Sequence, residues 1–228
     1  LGSLLVGTSF AKSLSIGLNI PLIEVNHMQA HILSIFIKNN NKKPCFPLLA
    51  LTISGGHTQL VVVKDYFKME EIGSTLDDAV GEAFDKSGKT IGLDYPSGPI
   101  IDRLSKDGDP NAFTFTKPKV ENLNFSFSGL KTGFMNFIKK ESLKNRNFID
   151  DNINDICASI QNTIIEILID KLNDAVKSTG IKEIVICGGV SANSELRKKM
   201  DDLSVSNKWN VYFPKIEYCT DNAAMIGI

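Results

Sequence analysis

With 228 residues, 43% of them hydrophobic and 22% charged, the chain can bury a substantial core as one large α/β domain or two small lobes. A formal net charge of −1 excludes a global basic field, so a nucleic-acid partner must use a local patch or charge from another subunit. Four widely spaced cysteines without a C-x-x-C pair exclude a zinc knuckle and a dense disulfide framework, and no apolar run reaches the roughly 18 residues of a membrane helix.

The apolar start carries Ser3, Thr8, Ser9 and Lys12 without a basic leader and does not read as a signal peptide. It opens at Leu1 in what reads as mid-helix, and the expectation is a fragment. Helical spacing of Leu5, Thr8, Ser9, Lys12, Ser13 and Ile16 predicts a helix over 1–17 with Gly17 as its C-cap. Pro21 then opens a predicted strand, Leu22–Val25, and Asn26 is an N-cap for a helix to Ile37. The polar loop Asn39–Pro44 is the expected lobe boundary. Strands are predicted at Leu48–Ile53, Thr58–Val63 and Met69–Ile72. Helices follow at Asp77–Lys89, whose acidic first turn suits the macrodipole, and at Pro99–Ser105, with a loop at Gly92–Gly98 between them. Residues 107–127 read as irregular and aromatic, and Ser128–Lys140 as helical. Isoleucines and leucines at spacings of three and four predict a long helix over Ile153–Ser178. Strand Glu183–Cys187, a glycine turn, a helix to about Leu203, strand Val211–Phe213 and a truncated helix capped by Thr220–Asn222 complete the pattern.

His27 and His31 lie one turn apart on the predicted helix and can present two imidazoles on one face. Such a pair alone is also an ordinary polar helix face, and a zinc-protease helix would need Glu where Met28 stands. Asp221, at a tight turn beside a helix start, is the candidate third ligand; two imidazoles and a carboxylate suit Zn or Fe(II) with positions left open. Ser54-Gly55-Gly56-His57-Thr58 can be a plain hairpin turn. A second glycine turn, Gly188–Asn193, between strand and helix favours a nucleotide in a cleft, although neither turn has the Rossmann or Walker pattern. Asp77, Asp78 and Glu82 read as a solvated acidic face, whereas Asp85, before Lys86 and a glycine-rich loop, could accept both ribose hydroxyls. Lys139, Lys140, Lys144 and Arg146 read as a solvated helix end rather than an RNA contact.

Seven motifs in order resemble the TsaD/Gcp family of tRNA threonylcarbamoyladenosine transferases, once described as O-sialoglycoprotein endopeptidases. They are His27-x-x-x-His31, Leu49–Gln59, Asp77–Lys86, Gly92–Pro99, Phe125–Thr132, Gly188–Asn193 and Cys219–Asn222. The resemblance implies an α/β actin/Hsp70-like (ASKHA) two-lobe fold with the first lobe incomplete. Residues 1–46 would be the first-lobe remnant with the histidine motif, and 47–228 the second lobe with the nucleotide turns. It implies a divalent metal, Fe(II) or else Zn(II), on His27, His31 and Asp221. ATP or threonylcarbamoyl-adenylate would meet Thr52, Ile53, Ser54, Gly55, Gly56, Asp85, Gly98, Asp102 and Asn193. The implied reaction moves the threonylcarbamoyl group to N6 of the adenosine beside the anticodon in tRNAs reading codons that begin with A. No general base or protein nucleophile is assigned. The implied partners are tRNA, a paralogous TsaB-like dimerisation subunit and a small TsaE-like ATPase, with no membrane, in a bacterial cytoplasm or an organelle. The chain departs from the family in lacking its first hairpin and the end of its last helix, and in placing Ser97 where Gly is commoner. The competing readings are a metallopeptidase, a related carbamoyltransferase and a catalytically dead partner-binding subunit.

Overall fold

The computed structural model describes residues 2–37 and 42–228. Residues 39–41 of the expected boundary loop lie outside the described residues. The centre is a five-stranded sheet of β1 (Leu48–Ile53), β2 (Thr58–Val63), β3 (Met69–Ser74), β4 (Glu183–Cys187) and β5 (Asn210–Tyr212), in the order β3-β2-β1-β4-β5. The β1–β2 and β2–β3 pairs are antiparallel, with Leu51 opposite Leu60, while β1–β4 and β4–β5 are parallel, with Thr52 opposite Cys187.

Strands β1 and β4 are near-continuous apolar runs because both faces of the sheet are covered. Leu49, Leu51, Ile53, Leu60, Val62, Ile184 and Ile186 face the main core, beneath α3 (Val80–Thr90), α4 (Ser97–Leu104), α5 (Ser128–Lys144) and α6 (Phe148–Thr179). Leu48, Ala50, Val61, Val63, Val185 and Cys187 face the other way, onto Ile32, Ile35 and Phe36. Period-two alternation thus divides one sheet between two cores. Phe84, Phe125, Phe127 and Phe134 are fully buried in the larger one, each contributing about 1.5–3 kcal/mol by burial.

Helix α2 (His27–Leu33) starts where expected: the Asn26 side chain accepts from the Met28 and Gln29 amides at 3.0 and 3.1 Å. A 3-10 turn, Ser34–Phe36, ends it earlier than predicted. Helix α1 (Gly2–Leu18) runs through Gly17 and buries none of its residues; Asn19, at φ +52°, supplies the left-handed residue beyond its end. The predicted strand Leu22–Val25 is exposed, unpaired chain, since an apolar run without a neighbour has no ladder to join. No helix follows Thr220; Asn222 accepts from the Met225 amide at 2.9 Å in a local turn. Helix α7 (Ser194–Asn207) extends beyond Leu203.

Helix α3 begins at Val80 rather than Asp77, because the preceding carboxylates bond elsewhere. Asp77 accepts from Ser126 Oγ at 2.6 Å and the Phe127 amide at 2.8 Å, pinning the start of α5. Asp78 is paired with Lys86 at 2.7 Å and Lys131 at 3.2 Å. Burial pushes the Asp78 carboxyl up, but the two lysines outweigh it and hold it below its ordinary 3.8. The unfolded chain therefore takes up this proton at higher pH than the folded one. Stability from Asp78 is complete above the ordinary value and lost as pH falls below it. Acid denaturation followed by circular dichroism should show Asp78→Asn losing roughly 1–3 kcal/mol at neutral pH, with a shallower fall below about pH 4. An acid limb identical to wild type would contradict this.

Candidate functional site

Because β1 and β4 are parallel neighbours, their carboxyl ends emerge together, where an α/β sheet places a ligand crevice. Both glycine turns arise there. The first, after β1, closes by Ser54 N–H to the His57 carbonyl at 2.8 Å and His57 N–H to Ser54 Oγ at 3.1 Å. Helix α3 abuts it: the Gly81 amide donates to the Ser54 carbonyl at 3.2 Å, and a Cβ on Gly81 would lie 2.7 Å from Gly55 Cα. The second turn begins at Gly188 with φ +90°, where a Cβ would lie 2.4 Å from the Ile53 carbonyl oxygen. A Cβ on Gly55 or Gly56 would meet nothing within 4 Å, so the outer side of the first turn is open.

Between the turns lies a cavity of about 370 Å³. Gly55, Asp85, Gly98, Asp102 and Asn193 line it with Gly189 of the second expected turn, and so do Gly81, Phe84, Tyr95 and Thr220, which sequence reasoning did not assign to a ligand. Gly81 carried a usable signal, as a lone glycine inside a helical pattern marks close backbone approach. Thr52, Ile53, Ser54 and Gly56 are not among the lining residues. Thr52 is buried with its hydroxyl 3.5 Å from Cys187 Sγ, and Ile53 faces the core.

The carboxylates also stitch the cavity walls. Asp85 accepts from the Ser97 amide at 2.8 Å at the start of α4, and Asp102 accepts from Ser194 N–H and Oγ–H at 3.1 and 2.9 Å at the start of α7. Ser97 is buried, with its Oγ donating to the Asp94 carbonyl at 2.9 Å; Gly88 leaves it room, since a Cβ there would lie 2.2 Å from Ser97 Cβ. Asn193 caps α7 by accepting from the Leu196 amide at 2.9 Å and donates to Gln161 Oε1 at 2.7 Å. Gln161, buried on α6, donates in turn to Ser105 Oγ at 2.7 Å. Its position within an apolar helix gave no sequence signal for this role.

Beside the cavity, Thr220 leads into Asp221, and Asp221 Oδ1 lies 3.5 Å from His27 Nε2 and 3.1 Å from His31 Nε2. The three ligand atoms lie within 4.8 Å of one another. Donors bound to one ion at about 2.0–2.2 Å sit about 3–3.5 Å apart, the separation Asp221 keeps from each histidine, so the three residues could hold a single divalent metal. His31 is 1% exposed while Asp221 is 77% exposed, an arrangement with one buried anchor and an open side. Burial and neighbouring His27 hold the His31 imidazole below its ordinary value against the pull of Asp221, favouring the neutral, ligating form. Cys157 and Cys187 are fully buried, and burial pushes their thiols up to about 12, which disfavours the thiolate form near neutrality. Among the described residues no helix is long and apolar enough to cross a membrane.

The sequence profile of the family described as "TsaD: tRNA N6-adenosine threonylcarbamoyltransferase" matches residues 1–228. Curated relatives with that same description are 64% identical in Christiangramia forsetii, 62% in Riemerella anatipestifer and 45% in Thermotoga neapolitana. The alignments cover 99–100% of this chain and 67% of each relative, so the chain spans about two thirds of their length. Among solved structures, full-length HypF in a phosphate- and nucleotide-bound form superimposes with a TM-score of 0.70 at 18% identity, over 97% of this chain and 36% of HypF. The Acidaminococcus fermentans (R)-2-hydroxyglutaryl-CoA dehydratase component A gives 0.51 at 14% identity, over 94% of this chain and 70% of that one. At these identities the likeness shows the fold alone, an incomplete ASKHA α/β fold.

Proposed function

This chain belongs to the TsaD family of tRNA N6-adenosine threonylcarbamoyltransferases, and on that premise we propose that its cavity binds threonylcarbamoyl-adenylate and its triad a divalent metal. The observation that carries the reading is the join at Thr220–Asp221: one residue lines a nucleoside-sized cavity and the next stands beside His27 and His31 as a candidate ligand. The adenosine half would lie between the glycine turns, with its ribose toward Asp85. Gly98 and Asp102 would face the nucleoside, and Tyr95, 84% exposed at the rim, offers an aromatic surface. Main-chain groups of the Ser54–Gly56 turn would approach the phosphate side, where the missing side chains of Gly55 and Gly56 let the backbone come close, while Thr52 and Ile53 would support the turn from the sheet.

His27, His31 and Asp221 would hold Fe(II) or Zn(II), which supplies Lewis-acid polarisation when bound. The mixed carbamic–phosphoric anhydride is already activated. The adenosine N6 forms a bond to the carbamoyl carbon, the carbon–oxygen bond to phosphate breaks, AMP leaves with the electron pair and N6 loses a proton. The protein's part is to hold donor and acceptor in line. tRNA is the acceptor, and the adenosine beside the anticodon in tRNAs reading codons that begin with A is its proposed target. A paralogous TsaB-like subunit, a small TsaE-like ATPase and a cytoplasmic setting complete the proposal. Met28, where a zinc protease needs its glutamate, disfavours the peptidase reading.

Calorimetric titration with ATP, a stand-in for the adenylate, tests this. Asp85→Asn preserves an acceptor for the Ser97 amide but removes the charge that would bind ribose hydroxyls. It should weaken ATP about 10- to 100-fold and leave metal content unchanged. An unaltered affinity would mean that Asp85 only caps α4.

A further inference from the structure

The metal-bearing segment and the second glycine turn are joined by one side chain outside both ligand sets. Arg197, fourth residue of α7, donates through Nε to the Ser191 carbonyl at 2.8 Å, inside the turn. Through Nη2 it reaches the Pro214 carbonyl at 3.4 Å and Cys219 Sγ at 3.5 Å, and its guanidinium lies 4.5 Å over the Phe213 ring. Cys219 is fully buried and directly precedes Thr220 and Asp221.

The segment from Pro214 onward has little regular structure, a single 3-10 turn at Ile216–Tyr218. Its other hydrogen bonds are internal: Cys219 Sγ donates to the Lys215 carbonyl, Asn222 Nδ2 donates to the Thr220 carbonyl, and Asn222 Oδ1 accepts from the Met225 amide. Among the described residues, its polar ties to the rest of the chain are the two bonds from Arg197 and the contacts of Asp221 with the histidines. The Asp221 carboxylate is exposed, so the histidines alone do not confine it. A guanidinium has donors on separate edges of one rigid plane and so fixes two loops in one geometry, whereas an ammonium's donors all sit on one rotatable atom.

We propose that Arg197 is a positioning residue that couples the two halves of the site, bracing the segment carrying Asp221 against the Ser191–Asn193 turn of the nucleoside cavity. The proposal rests on the metal-and-nucleotide reading above. A metal ordering Asp221 also orders Thr220 and, through Arg197, the turn beside it. Each ligand thereby lowers the ordering cost of the other, and by linkage the effect is mutual.

The test measures metal retention against a chelator, and ATP affinity with and without metal, in wild type, Arg197→Met and Arg197→Lys. Lys171→Met is the control, removing a cation bonded to the Val120 and Asn122 carbonyls at 3.0 and 2.6 Å. Metal should tighten ATP binding by wild type. Both Arg197 variants should retain metal about 5- to 100-fold less tightly, the usual size of a coupling between two sites, and their ATP affinity should no longer respond to metal. Lys171→Met should keep the wild-type response whatever its melting temperature. The proposal is overturned if Arg197→Met retains the response, if Lys171→Met also loses it, or if wild type binds both ligands independently. Wild type binding neither metal nor ATP would instead defeat the underlying reading, and this inference with it.

Discussion

Replacing His31 with alanine is expected to strip the protein of its metal. His31 is the one buried donor of the triad, its Nε2 3.1 Å from Asp221 Oδ1, while His27 and Asp221 are 49% and 77% exposed. Two exposed donors without the anchor cannot enclose an ion against water and buffer. The loss should exceed the roughly 10- to 100-fold that removal of an outer partner costs. Alanine also leaves a void at this buried position, so His31→Gln serves as a companion that fills the space with a poorer ligand. Metal analysis after exhaustive dialysis provides the measurement. One equivalent retained by both variants would remove the proposed site.

Gly188→Ala is expected to damage fold and cavity together. Gly188 sits at φ +90°, ψ 166°, which an alanine adopts only under strain, and its Cβ would lie 2.4 Å from the Ile53 carbonyl oxygen. That oxygen belongs to the neighbouring parallel strand, so no side-chain rotation relieves the clash. Strained backbone and overpacking each cost about 1–3 kcal/mol, giving roughly 2–6 kcal/mol in all. Part of the relaxation should separate the ends of β1 and β4 and open the cavity. Urea denaturation should therefore show a lowered midpoint, with ATP affinity falling in protein that remains folded. By contrast, a Cβ on Gly55 would meet nothing within 4 Å, so Gly55→Ala should leave stability near wild type and perturb only ligand binding. Equal denaturation midpoints for wild type and Gly188→Ala would refute the close-approach account.

Much of the fold was legible in the residues. Strands β1, β2 and β4 were placed within their observed bounds because runs such as Leu48–Ile53 must be covered on both faces. The histidine spacing, the glycine turns and the Asn26 cap were equally visible. Leu22–Val25 failed as a strand because apolarity does not supply a neighbour. The expected C-cap at Gly17 moved to Asn19, a residue that also tolerates the left-handed region.

Asp77 and Asp78 show most clearly where local reading stops. At helical spacing they resemble an acidic first turn, yet their partners, Ser126, Phe127 and Lys131, come from some fifty residues away. Asp85 likewise reads as a ribose contact and Asp102, by resemblance, as a residue near the nucleoside, and only the packing of α3, α4 and α7 shows that Asp85 also binds the start of α4 and Asp102 the start of α7. The roles of Gln161 and Arg197 are not visible in sequence at all, since a buried amide and a two-sided guanidinium bridge have no local pattern.

By itself, the sequence determined which chemistry was available: two imidazoles one turn apart, a distant carboxylate, two glycine turns at strand ends, and motif order specific enough to identify the family. Those are properties of residue type and short-range spacing, which the backbone's periodicity preserves. The tertiary structure alone decided that Asp221 meets His27 and His31, that both turns open into one cavity, and that carboxylates, Gln161 and Arg197 lock its walls. Such contacts join residues 190 positions apart and more, and parallel pairing of β1 with β4 is what brings them to one end of the sheet.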